Sequence, residues 1–170
     1  RWYREYRAKA ALPLLLFESA LEDLMFVQNQ RPGDLEWTLE WSLMLADEGA
    51  PQQALLLCDH YESLAPGDPD VLLQKLYFLE LLEDYEEIYA SLETAVLNHP
   101  DVPEFKMQWA QMLQATGQSE QAMQVLKTLA NEDPTNGLVQ LELAQLYTQF
   151  DDIEQAQNAL RNAFASEEVY

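Results

Sequence analysis

Apolar side chains recur along this chain at helical spacing, in short blocks that each end at a breaker. Leu35, Leu39 and Leu43 fall on one side of a helix with Trp41 and Leu45 beside them, and the pattern stops at Gly49. Glycine tolerates the left-handed conformation that commonly closes a helix. Pro51 suits the first turn of a second helix, where no backbone donor is missed. That helix carries Ala54, Leu57, Cys58 and Tyr61 on one face and ends at Ala65–Pro66–Gly67–Asp68. The plan repeats. Leu72, Leu76 and Leu79 predict a first helix, and Asp84 with Glu87 predicts a capping box opening a second, which carries Ile88, Leu92 and Ala95 as far as His99–Pro100. The next block begins at Pro103, carries Trp109, Ala110 and Leu113, turns at Gly117 and restarts near Ser119 with Ala122, Leu126 and Leu129. The last has Leu143, Ala144 and Tyr147, a turn at Asp151–Asp152, then Ala156, Leu160 and Ala163.

The blocks keep one step. Pro32, Pro66, Pro100 and Pro134 stand 34 residues apart, and Ala20, Ala54, Ile88, Ala122 and Ala156 keep the same interval. A fixed period of this length marks stacked copies of one small unit. The units fall at 1–34, 35–68, 69–102, 103–136 and 137–170, the last ending in an acidic tail. The first is the least regular. Ala8, Ala20, Leu24 and Pro32 are in phase, but Pro13 sits where a first helix should be finishing and should bend or break it. A divergent unit acting as an N-terminal cap is expected.

These residues resemble the tetratricopeptide repeat family. Its pattern pairs a Trp or Leu and a small residue with a Gly at the turn, then an Ala, an aromatic or Leu, a further Ala, and a closing Pro. One copy offers Trp41, Ser42, Leu45, Gly49, Ala54, Cys58, Tyr61 and Pro66; another offers Trp109, Ala110, Leu113, Gly117, Ala122, Leu126, Leu129 and Pro134. The copy between departs, with Lys75 and Leu76 for the Trp–small pair, Glu83 for Gly and Ile88 for Ala. The resemblance covers 35–165 well and 1–34 weakly. It implies an all-α fold: a right-handed α-solenoid of antiparallel helix pairs, about five units long, in which the first helix of each pair lines a concave groove. The small residues Ser42, Ala54, Ala110, Ala122, Ala144 and Ala156 then let helices approach closely.

On that inner face the spacing places Glu36, Leu39, Leu43 and Asp47, then Asp70, Leu73, Tyr77, Glu80 and Leu81, then Met107, Gln111, Gln114, Leu141, Gln145 and Gln149. Apolar groups ringed by acids suit an apolar or basic helix or extended peptide. The alternative is that some of these side chains pack between units. The family's best-known ligand mode clamps a chaperone's terminal carboxylate with basic and Asn side chains. Here the matching positions hold Leu39, Leu43, Leu73, Tyr77 and acids, so a chaperone-tail receptor is not expected. The chain's own end, Ser166–Tyr170, is only loosely similar to such a tail, and the likeness is read as coincidence.

Charge sharpens the choice of partner. Nine basic residues against thirty acidic give a net −21, and Arg1, Arg4, Arg7 and Lys9 crowd into the start with only Glu5 opposing them. So acidic a body repels nucleic-acid phosphates and anionic lipid, which makes both poor partners, no nucleic acid being expected; the charge itself reads either as a means of solubility or as attraction for a basic partner. The basic start reads as a terminal helix, with a position following a membrane anchor as the alternative. No apolar run approaches a membrane span, the longest being around Leu14–Phe17. With neither a signal peptide nor an initiator Met, the chain reads as a soluble excerpt or processed form, its compartment undefined.

Catalytic and metal chemistry find no foothold. His60 and His99, the only histidines, read as occupying equivalent regions between repeats rather than one cluster. Cys58 and His60 point to different sides of a helix and cannot share an ion, and Cys58 falls where a core residue belongs. Asp68 and Asp70 lack calcium-loop spacing, and neither a phosphate loop nor a nucleophile elbow occurs. The acidic pairs at helix starts are explained by the helix dipole. The reading is a non-enzymatic, cofactor-free scaffold for a protein or peptide. The alternative is an assembly domain, either a piece of a longer array or a homodimer formed through the last unit, whose Leu160 and Phe164 have no following helix to cover them.

Overall fold

The computed structural model describes residues 2–167; Arg1 and the end of the acidic tail, Glu168–Tyr170, lie outside the described residues. Among the described residues are ten α-helices, one 3-10 turn at Leu12–Leu14, and no strand. The helices are α1 (Trp2–Ala11), α2 (Phe17–Gln28), α3 (Leu35–Asp47), α4 (Pro51–Leu64), α5 (Pro69–Leu81), α6 (Tyr85–Asn98), α7 (Pro103–Ala115), α8 (Ser119–Glu132), α9 (Gly137–Gln149) and α10 (Ile153–Glu167). They gather into two compact units, one ending at Ser91 and the other starting at Leu92.

One turn recurs through both units. Leu15, Gly49, Glu83, Gly117 and Asp151, spaced at the 34-residue step, all have positive φ, from 57° at Glu83 to 89° at Gly49. At Gly49 the backbone N–H donates to the Ala46 carbonyl at 2.9 Å and the next N–H, of Ala50, reaches back to Leu45 at 2.9 Å. The same pair forms at Leu15 and Leu16, whose N–H groups donate to Leu12 and Ala11 at 2.9 and 3.1 Å. Two carbonyls that a helix end leaves unpaired are satisfied each time. Pro13 does end α1 early, as its missing donor demands, and the chain still makes the shared turn two residues later.

Helix starts are less uniform. Asp34, Asp68 and Asn136 cap α3, α5 and α9 by accepting from the N–H groups of Trp37, Asp70 and Val139 at 3.2, 3.0 and 3.2 Å. Val102, at the same step, has no side-chain acceptor for α7. The capping box expected at Asp84 has only one arm. Its carboxylate accepts from Glu87 N–H at 3.2 Å, but its own N–H is committed to the Leu79 carbonyl at 3.0 Å.

The first unit is cored by Leu24, Leu45, Leu57, Cys58 and Phe78, all fully buried, with Trp37 and Trp41 tilted against each other at 6.0 Å. In the second unit Leu113, Leu126, Val139 and Leu146 fill the core. Ser42, Ala54, Ala110, Ala122, Ala144 and Ala156 are all buried, so short side chains stand where helices meet.

Electrostatics tie down the irregular start. Asp23 of α2 is wholly buried; it accepts from Arg4 at 2.9 Å and from two nitrogens of Arg7. Arg4 also lies 4.0 Å from the Phe26 ring centroid. Glu5 accepts from Arg31 at 3.0 Å and from the Trp37 indole at 3.1 Å. Arg4 and Arg7, together with Glu5, therefore pin α1 to its neighbours. Lys75, standing where Trp41 and Trp109 stand in their copies, is half-buried and pairs with Asp59 at 2.7 Å and with Glu62 on α4. Burial works against its charge, but those two carboxylates outweigh it and raise its pKa.

Candidate partner-binding surface

In the first unit, α3 and α5 lie side by side and are stitched by Gln74. Its amide donates to the Leu39 carbonyl at 3.0 Å and to Ser42 Oγ at 2.8 Å. Ser42 Oγ in turn donates to the Thr38 carbonyl at 2.8 Å, so the backbones of both helices are held in one register. A parallel link joins α2 to α3, where the buried Gln28 amide donates to Thr38 Oγ1 at 2.9 Å. Such buried polar contacts fix a relative placement that apolar packing alone leaves freer.

On this rigid pair the sequence-predicted groove residues take unlike positions. Leu43 on α3 and Tyr77 on α5, one period apart, are 42% and 44% exposed. Leu39 is half-buried against the core and Leu73 is also half-buried. Glu36, Asp47, Asp70 and Glu80 are all exposed, as is Leu81. The first unit therefore offers an apolar centre of Leu43 and Tyr77 on helices that also carry four exposed carboxylates. The Leu39 carbonyl belongs to the α3–α5 joint, while its side chain packs against the core of the unit.

The second unit presents its share of the predicted residues by itself. Met107 is half-buried against the core. Gln111 is exposed and donates to Glu142 Oε1 on α9 at 3.0 Å, and Gln114 reaches Glu142 Oε2 at 3.4 Å. Leu141 is 39% exposed, with Gln145 and Gln149 exposed on the same helix. This face is mostly amide.

Among the described residues no three His, Cys, Asp or Glu side chains gather in a way that could hold a metal ion. His60 lies within α4, whereas His99 follows the end of α6 with its ring 5.7 Å from Phe105. The two histidines thus do not stand at equivalent places. Cys58 is fully buried, and burial pushes its thiol up to about 12 despite a hydrogen bond with Ser42. Among the described residues, no helix is long and apolar enough to cross a membrane.

Comparison with known proteins fits this architecture. Residues 113–167 match the family model described as tetratricopeptide repeat. A crystal structure of MamA superposes with a TM-score of 0.70 at 13% identity, covering 95% of this chain and 94% of that one. MamA residues 41 to the end from Desulfovibrio magneticus RS-1 give 0.68 at 18% identity, over 98% and 94%. A MamA RS-1 double mutant gives 0.69 at 18%, again over 98% and 94%. No curated protein sequence matches the chain.

Proposed function

We propose that this tetratricopeptide-type helical-repeat protein is a non-enzymatic scaffold, built of five 34-residue units, that holds a partner peptide or helix against the face of α3 and α5. Leu43 and Tyr77 carry the proposal. They are exposed at the same register of two neighbouring helices whose other sides complete the core. Apolar area left uncovered and ringed by acids suits a segment that is itself apolar with flanking basic residues. The partner's side chains would seat on Leu43 and Tyr77, with Leu73 below. Glu36, Asp47, Asp70 and Glu80 set orientation and speed encounter. The second unit, taken by itself, offers Met107 and Gln111 as a separate, smaller and amide-rich contact.

The test is a double variant, Leu43→Glu with Tyr77→Glu, compared with the parent in affinity capture followed by identification of what was retained. Both side chains are substantially exposed, so circular dichroism should be unchanged. Loss of the captured partner, together with weaker capture by the parent as salt rises, supports the face. Capture that survives the double substitution rules it out.

A second reading, self-association through α10, rests on a different observation. Leu24, Cys58, Leu92 and Leu126 occupy one position of the period and are at most 1% exposed, whereas Leu160 at that position is 38% exposed and Phe164 beside it 63%. Light scattering across a hundred-fold range of concentration checks it. A constant monomer mass removes that role.

A further inference from the structure

Two aromatic side chains of the second unit depart from the repeat and stay partly uncovered. Tyr147 continues the series Leu45, Leu79, Leu113, whose members are at most 2% exposed, yet Tyr147 is only half-buried. Phe150 follows Glu48, Leu82 and Thr116 at the helix C-cap and is 45% exposed. Both rings line one cavity of about 360 Å³ with Met123, Glu120, Lys127 and Asp152. A neighbouring hollow of about 390 Å³ shares Glu120 and Phe150 and runs on to Ser119 and Gln149. Together they leave room for a side chain and for the peptide on either side of it.

The cavity's chemistry favours a cation. Aromatic faces attract positive charge, and one ring here already does so, with Lys127 Nζ 5.4 Å from the Tyr147 centroid. Two carboxylates, those of Glu120 and Asp152, line the cavity with Phe150. Asp152 uses Oδ1 to accept from Gln155 N–H at 3.2 Å at the start of α10, which leaves Oδ2 for a ligand. Residues 92–170 hold twelve acidic against three basic side chains, so the field around the cavity draws cations as well. Lys106, another of the three, is already bonded to Glu132 at 2.8 Å.

We propose that this cavity is a second recognition site, distinct from the α3–α5 face, which takes an arginine side chain from a partner peptide. The guanidinium plane stacks on Phe150 while its donors reach Glu120 and Asp152. Arginine suits the site better than lysine because a flat, forked cation can stack and bond two carboxylates at once.

The probe is the peptide acetyl-Gly-Arg-Gly-amide, titrated into the 15N-labelled protein. Saturable shifts centred on the amides of Glu120, Gln124, Phe150 and Asp152 are expected. A peptide with citrulline for arginine, alike in shape but uncharged, should bind at least about ten-fold more weakly, the ratio that corresponds to one lost charge-assisted contact. Phe150→Ala and Glu120→Gln should each weaken binding by a similar factor. Both side chains are exposed, so the fold should survive, and Asp152→Asn provides a third variant that keeps the helix cap. Leu43→Glu should leave this binding unchanged. Equal affinity for the citrulline peptide, shifts clustered elsewhere, full binding by Phe150→Ala, or no saturable shift would each overturn the proposal.

Discussion

Glu83 holds the same left-handed backbone as Gly49, one period before it, with φ of 57° against 89°. A side chain in that conformation costs about 1–2 kcal/mol, and glycine's extra chain entropy offsets about 0.5–1 kcal/mol of the gain from removing it. Glu83 is exposed and has little packing to lose. Glu83→Gly should therefore stabilise the protein by about 0.5–1 kcal/mol, raising the thermal midpoint by about 1–3 °C. Leu15→Gly should gain more, and Asp151→Gly less, because aspartate tolerates this region better than leucine. Melting curves by circular dichroism decide it; a lower midpoint for Glu83→Gly would refute the strain argument.

Part of this was legible before any coordinates. A helix end needs a residue that can adopt positive φ, and a helix start accepts proline, so the glycines and prolines announce the period. Asp151, in the turn read at Asp151–Asp152, announces its own, whereas Glu83 and Leu15 do not, because nothing in a glutamate or leucine marks a left-handed turn. For those two, only their place in the 34-residue step does. The links from Arg4 and Arg7 to Asp23 were hidden for another reason: they join residues 19 and 16 apart that meet only once α1 folds back on α2. The candidate face divides the same way. Leu39 and Leu43 look alike in sequence, but Leu39 is half-buried against the core, its carbonyl bonded by Gln74, whereas Leu43 is left exposed.

Asp23 should make the start of the protein acid-sensitive. The hydrogen bonds from Arg7, and then those from Arg4, hold its carboxyl below the ordinary carboxylate range, although burial pushes the other way. Because the folded value lies below the unfolded one, the contribution is complete above about pH 4 and fades as pH falls through the folded value. Asp23→Asn should cost about 1–3 kcal/mol at pH 7, the range for a buried acceptor losing charged donors. The gap between variant and parent should close towards pH 2–3. Urea titrations at pH 7, 5 and 2.5 measure this, and a gap undiminished at pH 2.5 would assign the loss to packing instead.

Cys58 should be inert while the fold holds. With its thiol raised to about 12 by burial and no exposed surface, almost none is thiolate at pH 8. Reaction with an aromatic disulfide reagent should be slow in buffer and stoichiometric within seconds in 8 M urea. Its native rate should follow the opening of the first unit rather than reagent concentration. Fast labelling of the native protein would contradict the buried, hydrogen-bonded placement beside Ser42.

Val102 is the missing member of the cap series Asp34, Asp68 and Asn136. The first turn of α7 therefore leaves N–H groups without the side-chain acceptor that its three counterparts provide. Val102 already has extended backbone, with φ −99° and ψ 101°, close to the −71° and 100° of Asn136, so an asparagine there needs no rearrangement to reach the N–H of Phe105. Asparagine is preferable to aspartate because Asp101 and Glu104 flank the site in a strongly acidic chain. A good cap adds about 1 kcal/mol over a non-capping residue, reduced here by the half-buried surface that valine gives up. Val102→Asn should thus gain about 0.5 kcal/mol, and hydrogen exchange should slow at Glu104 and Phe105 specifically. Faster exchange at those two amides would show that valine's packing, not the absent cap, governs the start of α7.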